Sequence, residues 1–159
     1  MRHEDLAVAA AAFVAMEPAT AAAHRWGMHG PGWALHRSHH EPAPGGWQAN
    51  DAFPLFFAGA TMALMFVGSR VSRLRFLLSA GAGITAYGAA YGSVHDIAIH
   101  RRVLPGLRIP AAVAKLGEAH RHHHRDGGPP YGMLVPVTRR GATGRRPRPS
   151  ATAAPSPGG

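Results

Sequence analysis

The chain has 159 residues, enough for one domain, with 46% hydrophobic and only 16% charged residues and a formal net charge of +9. It contains no cysteine, which excludes an iron–sulfur cluster or a thiolate zinc site. Eleven of the 17 Lys and Arg lie from Arg101 onward. Such blocks suit nucleic acid, but here apolar segments precede the charge, so a membrane reading competes better and nucleic-acid binding is the weakest option.

In chain order, residues 6–23 (LAVAAAAFVAMEPATAAA) form a first apolar stretch, close to the roughly 20 residues a bilayer span needs. A cleaved signal is disfavoured, because MRHED carries two acids where a positive n-region is expected. Glu17 is costly at membrane depth. Two readings of it stand: a residue near the Pro18 kink bonded to a neighbouring helix, or a role near the histidines that follow.

A histidine segment runs from His24 to His40, broken by Gly30, Pro31 and Gly32. Trp26 and Trp33 suit a membrane–water interface or core packing equally. EPAPGG at 41–46 reads as a loop, and Asn50 and Asp51 as caps of the next helix. Residues 52–68 and 76–94 are apolar runs of 17 and 19 residues, separated by SRVSRLR. As helices they span about 26 and 29 Å, near the hydrocarbon thickness of about 30 Å, and their small residues allow close approach. They are expected to form a hairpin. Pro110 opens a helix through AAVAKLGEAHRHHH, and the Gly and Pro residues at 127–130 end it. PYGMLVPV is an extended cover over the site, and residues 138–159 a disordered basic Pro/Arg-rich tail.

The histidines repeat. A pair five apart and then an HxxHH triplet occur twice: His24, His29, His36, His39 and His40, then His95, His100, His120, His123 and His124. Residues three and four apart share a helical face, so each triplet should point one way. The five-apart pairs sit about 140° apart on an α-helix and fit one face less well; they lie near helix ends or serve different metals. Imidazole is the commonest protein metal ligand. Ten ligands over two ions give about five each, leaving a position open for a small ligand such as O2. A pair of histidine-ligated irons is the expected site. His3 and His122 fall outside the doubled pattern and read as surface or hydrogen-bonded residues.

The hairpin gives a parity argument: two crossings return the chain to its starting side, so both histidine groups meet on one face. The Arg-rich region after His95 places that face in the cytoplasm, against the three Arg of 69–75.

At these residues the chain resembles the bacterial β-carotene hydroxylases of the membrane-bound fatty acid hydroxylase superfamily. The resemblance rests on HRWGMHG at 24–30, LHRSHHEP at 35–42, ND at 50–51, YGAAYGSVHDIAIHRR at 87–102 and EAHRHHH at 118–124, with ME at 16–17; it covers about residues 6–137 and implies a hydroxylase-like domain over residues 1–137. His122, Ile97 and the cysteine-free DGGPPYGMLVPV depart from the family pattern. The resemblance implies an all-α integral membrane fold with three to four transmembrane helices in the bacterial inner membrane. It implies a cytoplasmic site of two non-haem irons held by the ten histidines, with O2 as co-substrate and electrons from ferredoxin or a similar donor. The substrate would be a carotenoid with a β-ionone ring, hydroxylated at carbon 3. Asp51 and Asp96 stand beside the ligand groups and are expected to orient imidazole N–H groups; for Asp51 a helix cap is the other reading. Tyr87 and Tyr91 line the substrate channel or pack helices. Rival readings are a related ketolase, desaturase or lipid hydroxylase and, outside enzymes, a membrane metal carrier.

Overall fold

The computed structural model describes residues 2–41, 46–104 and 106–136, and every regular element among them is helical. The expected tail at 138–159, positions 42–45 of the expected loop and Pro105 lie outside the described residues. Five α-helices follow in order: α1 His3–Ala22, α2 Trp33–His40, α3 Ala52–Arg70, α4 Phe76–Gly92 and α5 Ala111–Asp126. α1 continues through Pro18 to Ala22. α5 starts directly after Pro110 and stops at Gly127, whose φ of 66° is the left-handed conformation that only glycine adopts without steric cost.

α4 packs between α1 and α3. Two glycines make that possible from opposite sides. A Cβ on Gly83 would run into the backbone carbonyl of Ala9 in α1, and one on Gly81 into the Met65 side chain of α3. Small residues thus replace side-chain interdigitation with backbone proximity. The chain turns between α3 and α4 through Ser72–Leu74, giving the expected hairpin.

His3–Met28 (26 residues) and Ala49–Arg70 (22 residues) are long and apolar enough to cross a membrane. A core helix of a water-soluble protein of that composition would be buried. Here apolar side chains face outward: Leu55 is 64% exposed, Phe56 68% and Phe66 58%. Contiguous apolar surface of this kind marks a membrane or interaction face. The interior is the reverse. Its most buried side chains are Tyr87, Met133 and six histidines: His24, His36, His39, His95, His120 and His123.

Two short π-helical segments extend two of the helices, Ala23–Met28 after α1 and Ser93–Ile99 after α4. Both lie at the end of the layer where α3 begins, so both histidine groups are at the same end.

Candidate metal centre

The π-segments account for the five-residue spacing that an α-helix fits poorly. Their wider turn closes hydrogen bonds from residue i+5 to i: His29 N–H donates to the His24 carbonyl at 3.0 Å, and His100 N–H to that of His95 at 2.9 Å. The members of each pair then come together, with ring centroids 5.0 Å apart for His24 and His29 and 4.6 Å for His95 and His100. Of the two expectations, the position near a helix end holds for both pairs, each lying where a long helix finishes in a π-segment.

The triplets behave differently from the one-face expectation. Residues i and i+4 stay together, and residue i+3 crosses to the other set. His24, His29, His36, His40 and His123 form one group whose ligand nitrogens all lie within 4.8 Å of one another. His39, His95, His100 and His120 form the second on the same criterion. His124 joins the second, its Nε2 lying 2.8 Å from that of His120 and 3.1 Å from that of His39. Each half of the chain therefore supplies four histidines to one set and exchanges one, His39 for His123, with the other. The sets touch where the His40 and His124 rings stack at 4.3 Å.

Within the sets the Nε2 atoms face one another: 3.0 Å for His24 and His36, 3.0 Å for His29 and His123, 2.9 Å for His39 and His95, and 3.0 Å for His100 and His120. Two nitrogens each about 2.0–2.1 Å from one ion and at right angles are separated by about 3.0 Å. The spacing is that of ligands sharing an ion, and the donor set, all neutral nitrogen, fits a borderline transition metal.

The tautomers agree. Where Nδ1 has a described partner it is an oxygen, so Nδ1 carries the proton and Nε2 keeps its lone pair. His24 donates to the Tyr131 carbonyl (3.0 Å), His123 to that of Gly128 (2.6 Å) and His36 to Asn50 Oδ1 (2.7 Å). In the second set His39 donates to Gln48 Oε1 and His95 to Asp96 Oδ1, both at 3.2 Å. Burial, reinforced by the neighbouring imidazoles, lowers the pKa of His29, His36 and His100 to about 4. It pushes those of His39, His120 and His124 down as well. These rings are neutral near pH 7 and ready to bind metal.

Asp96 thus stands against an imidazole. Asp51 does not: its carboxylate takes a two-pronged bond from Arg102 (2.7 and 2.8 Å) and the Gln48 N–H at 3.0 Å. It caps the turn Ala49–Asp51 rather than α3, and reaches the second set at one remove, through Arg102, which also bonds Asp96 at 3.2 Å, and through Gln48, whose Oε1 accepts from His39. Sequence reasoning missed Gln48, Arg102 and the two carbonyls. Gln48 and Arg102 carry no spacing signal, and a carbonyl belongs to every residue. His3 belongs to neither set, and His122 pairs with Asp126 at 3.3 Å.

A cavity of about 480 Å³ leads from the α3–α4 layer to this centre. Phe53, Phe57, Met62, Met65 and Ile84 line its apolar length, and His24, His36, His39 and His95 its inner end. Tyr87 and Tyr91 both line it, and Tyr91 also stacks on the His95 ring at 5.4 Å. Tyr87 packs as well, its ring edge-on to Phe13 at 5.6 Å.

The chain is 39% identical over 127 residues to a β-carotene hydroxylase of Pantoea ananas, covering 76% of this chain and 71% of that protein. It is 41% identical over 128 residues to one of Pseudescherichia vulneris, covering 76% and 70%. A chloroplastic β-carotene 3-hydroxylase 1 of Arabidopsis thaliana is 38% identical over 137 residues, 81% of this chain and 43% of the plant protein. No family model and no solved structure matches the chain.

Proposed function

The chain belongs to the β-carotene hydroxylase family, and from that premise we propose that it hydroxylates carbon 3 of the β-ionone rings of β-carotene, giving cryptoxanthin and then zeaxanthin. One observation carries the proposal: ten imidazole nitrogens converge in two sets, beside an apolar cavity that His24, His36, His39 and His95 help to line.

The first set would hold one iron and the second, with His124, the other. Bound there, the two irons supply the reduction of O2 by two electrons and two protons, one oxygen atom entering the C–H bond and the other leaving as water. A redox-silent ion such as zinc does not serve this chemistry. Five of the ligand rings, His24, His36, His39, His95 and His123, donate Nδ1–H to an oxygen, so each of these presents its Nε2 lone pair. Asp96, oriented by Arg102, and Asn50 and Gln48 fix the ring planes. Asp51 contributes by holding Arg102. The cavity is lined mainly by apolar side chains, with Phe53 and Phe57 from α3 and Ile84 from α4, and suits a hydrocarbon ring. A carotene dissolved in the bilayer reaches that cavity without entering water.

α1, α3 and α4 are the spans of this reading. α4, with 17 residues, carries no charged side chain and lies between the other two. The centre lies on the cytoplasmic face of the bacterial inner membrane: residues 24–48 and 100–136 carry eight Arg and Lys against three Asp and Glu, the asymmetry that faces the cytoplasm. That charge also suits an acidic one-electron donor such as a ferredoxin. Expression in cells that make β-carotene, followed by pigment extraction, tests the activity. Zeaxanthin is the expected product, and unchanged β-carotene beside iron-loaded protein overturns the proposal.

A further inference from the structure

Glu17 sits in α1, about two helical turns before His24, and touches no histidine. Four donors point at its carboxylate. Met133 and Val135 N–H reach Oε1 at 2.9 Å each, Leu134 N–H reaches Oε2 at 3.1 Å, and the Tyr87 hydroxyl reaches Oε2 at 2.6 Å. A carboxylate is an acceptor with about four lone-pair sites, so this side chain is fully used. Tyr87 is 1% exposed and Met133 2%. The bonds tie a segment with no regular structure to the membrane layer, across more than 110 residues of sequence.

That segment roofs only one of the two sets. The Gly128 and Tyr131 carbonyls accept from His123 and His24. The Tyr131 ring lies 5.6, 5.6 and 5.3 Å from those of His24, His29 and His123. Among the described residues it meets no ring of the second set. Gly132 seats the strap: a Cβ there would lie 2.5 Å from Glu17 Oε1.

We infer that Glu17 is a positioning residue for the first metal site: it pins the strap 128–135, whose carbonyls hold His24 and His123 in the metal-binding tautomer. The inference rests on the metal reading above for its role, but the pinning itself is testable without metal.

The test uses full-length metal-free protein in micelles with ¹⁵N-labelled histidine rings. Glu17→Gln turns one oxygen into a donor facing the Leu134 N–H, with almost no change of shape. Gly132→Val pushes the strap away with Glu17 intact, and decides the matter should Glu17→Gln fail to fold. The expected result is loss of the single Nδ1–H tautomer at His24 and His123 while His39 and His95 keep theirs. Anaerobic Fe(II) titration should then show one of two equivalents weakened about 10–100-fold, the range for loss of a ligand's hydrogen-bond partner. Unchanged His24 and His123 rings in both variants overturn the inference. So does equal weakening of both equivalents, which marks a general structural defect. Wild-type protein that binds no Fe(II) overturns the metal reading instead, with the ring signals still deciding whether Glu17 pins the strap.

Discussion

The two histidine sets are built from matching sequence and held by different means. Each takes a π-segment pair and two residues of a triplet from one half of the chain, plus one ring from the other half. The first set is then oriented largely by backbone, through the Tyr131 and Gly128 carbonyls, with Asn50 the side-chain exception. The second is oriented by side chains, Gln48 on His39 and Asp96 on His95, with Arg102 bridging Asp96 and Asp51. Duplicated ligands therefore do not give duplicated surroundings. A backbone carbonyl moves only when its segment moves, whereas an ionic network can be retuned one residue at a time.

The exchange of His39 for His123 is the strongest place to break the comparison. Each crosses to the set of the other half, so each lesion should empty the opposite half's site. His39→Ala should remove the second-set metal and His123→Ala the first, both abolishing zeaxanthin formation, with one iron retained per chain by metal analysis. A His39→Ala protein that keeps second-set metal and activity would undo the crossed assignment.

Next in size are the orienting residues. Arg102→Leu frees Asp96 and Asp51 together, and we expect a loss of about 10–100-fold in activity or metal affinity, the usual effect of removing such partners, confined to the second set. Asn50→Leu should do the same at His36, in the first. Iron spectra with two distinguishable environments check both; parallel changes at the two sites in either variant would mean that the surroundings are shared after all.

The sequence made the two histidine clusters legible because histidine is rare and here regularly spaced. The apolar runs were legible for a similar reason: a bilayer demands about 20 apolar residues whatever their order. The crossing of the triplets was not legible. Three and four residues apart both mean one face on an isolated helix, and which neighbour each ring meets depends on where α2 and α5 dock. The π-segments were hidden because nothing in HRWGMH or HDIAIH declares a wider turn. Glu17 was recognised as costly, yet its partners lie more than 110 residues away and are peptide N–H groups, which no composition marks.

A smaller effect separates the cavity from the lipid face. Phe57 lines the cavity, while its neighbour Phe56 is 68% exposed on the outside. Phe57→Ala enlarges the space beside the substrate ring, and a methylene-scale misfit in a hydrophobic pocket is worth about 1–3 kcal/mol. Its kcat/KM for β-carotene should therefore fall by about tenfold or more. Phe56→Ala should leave kcat/KM unchanged, because lipid replaces the lost ring. Equal losses in the two would mean that the substrate does not use this cavity.

The smallest effect sharpens the ligand count. His122 stands among four other basic or ligating residues in the run from His120 to His124, and spacing alone separates it from them. It is two residues from both His120 and His124, about 200° around the helix, so it cannot join a face that they share. Its ring instead meets Asp126 one turn along, with the side chains 36% and 44% exposed. Half-exposed pairs of this kind contribute about 0–1 kcal/mol. His122→Ala should therefore keep both irons and nearly full activity, where His120→Ala, His123→Ala and His124→Ala each lose a metal. Were His122→Ala to lose iron as well, α5 would have to be rotated by nearly half a turn, and the exchange of His39 for His123 would go with it.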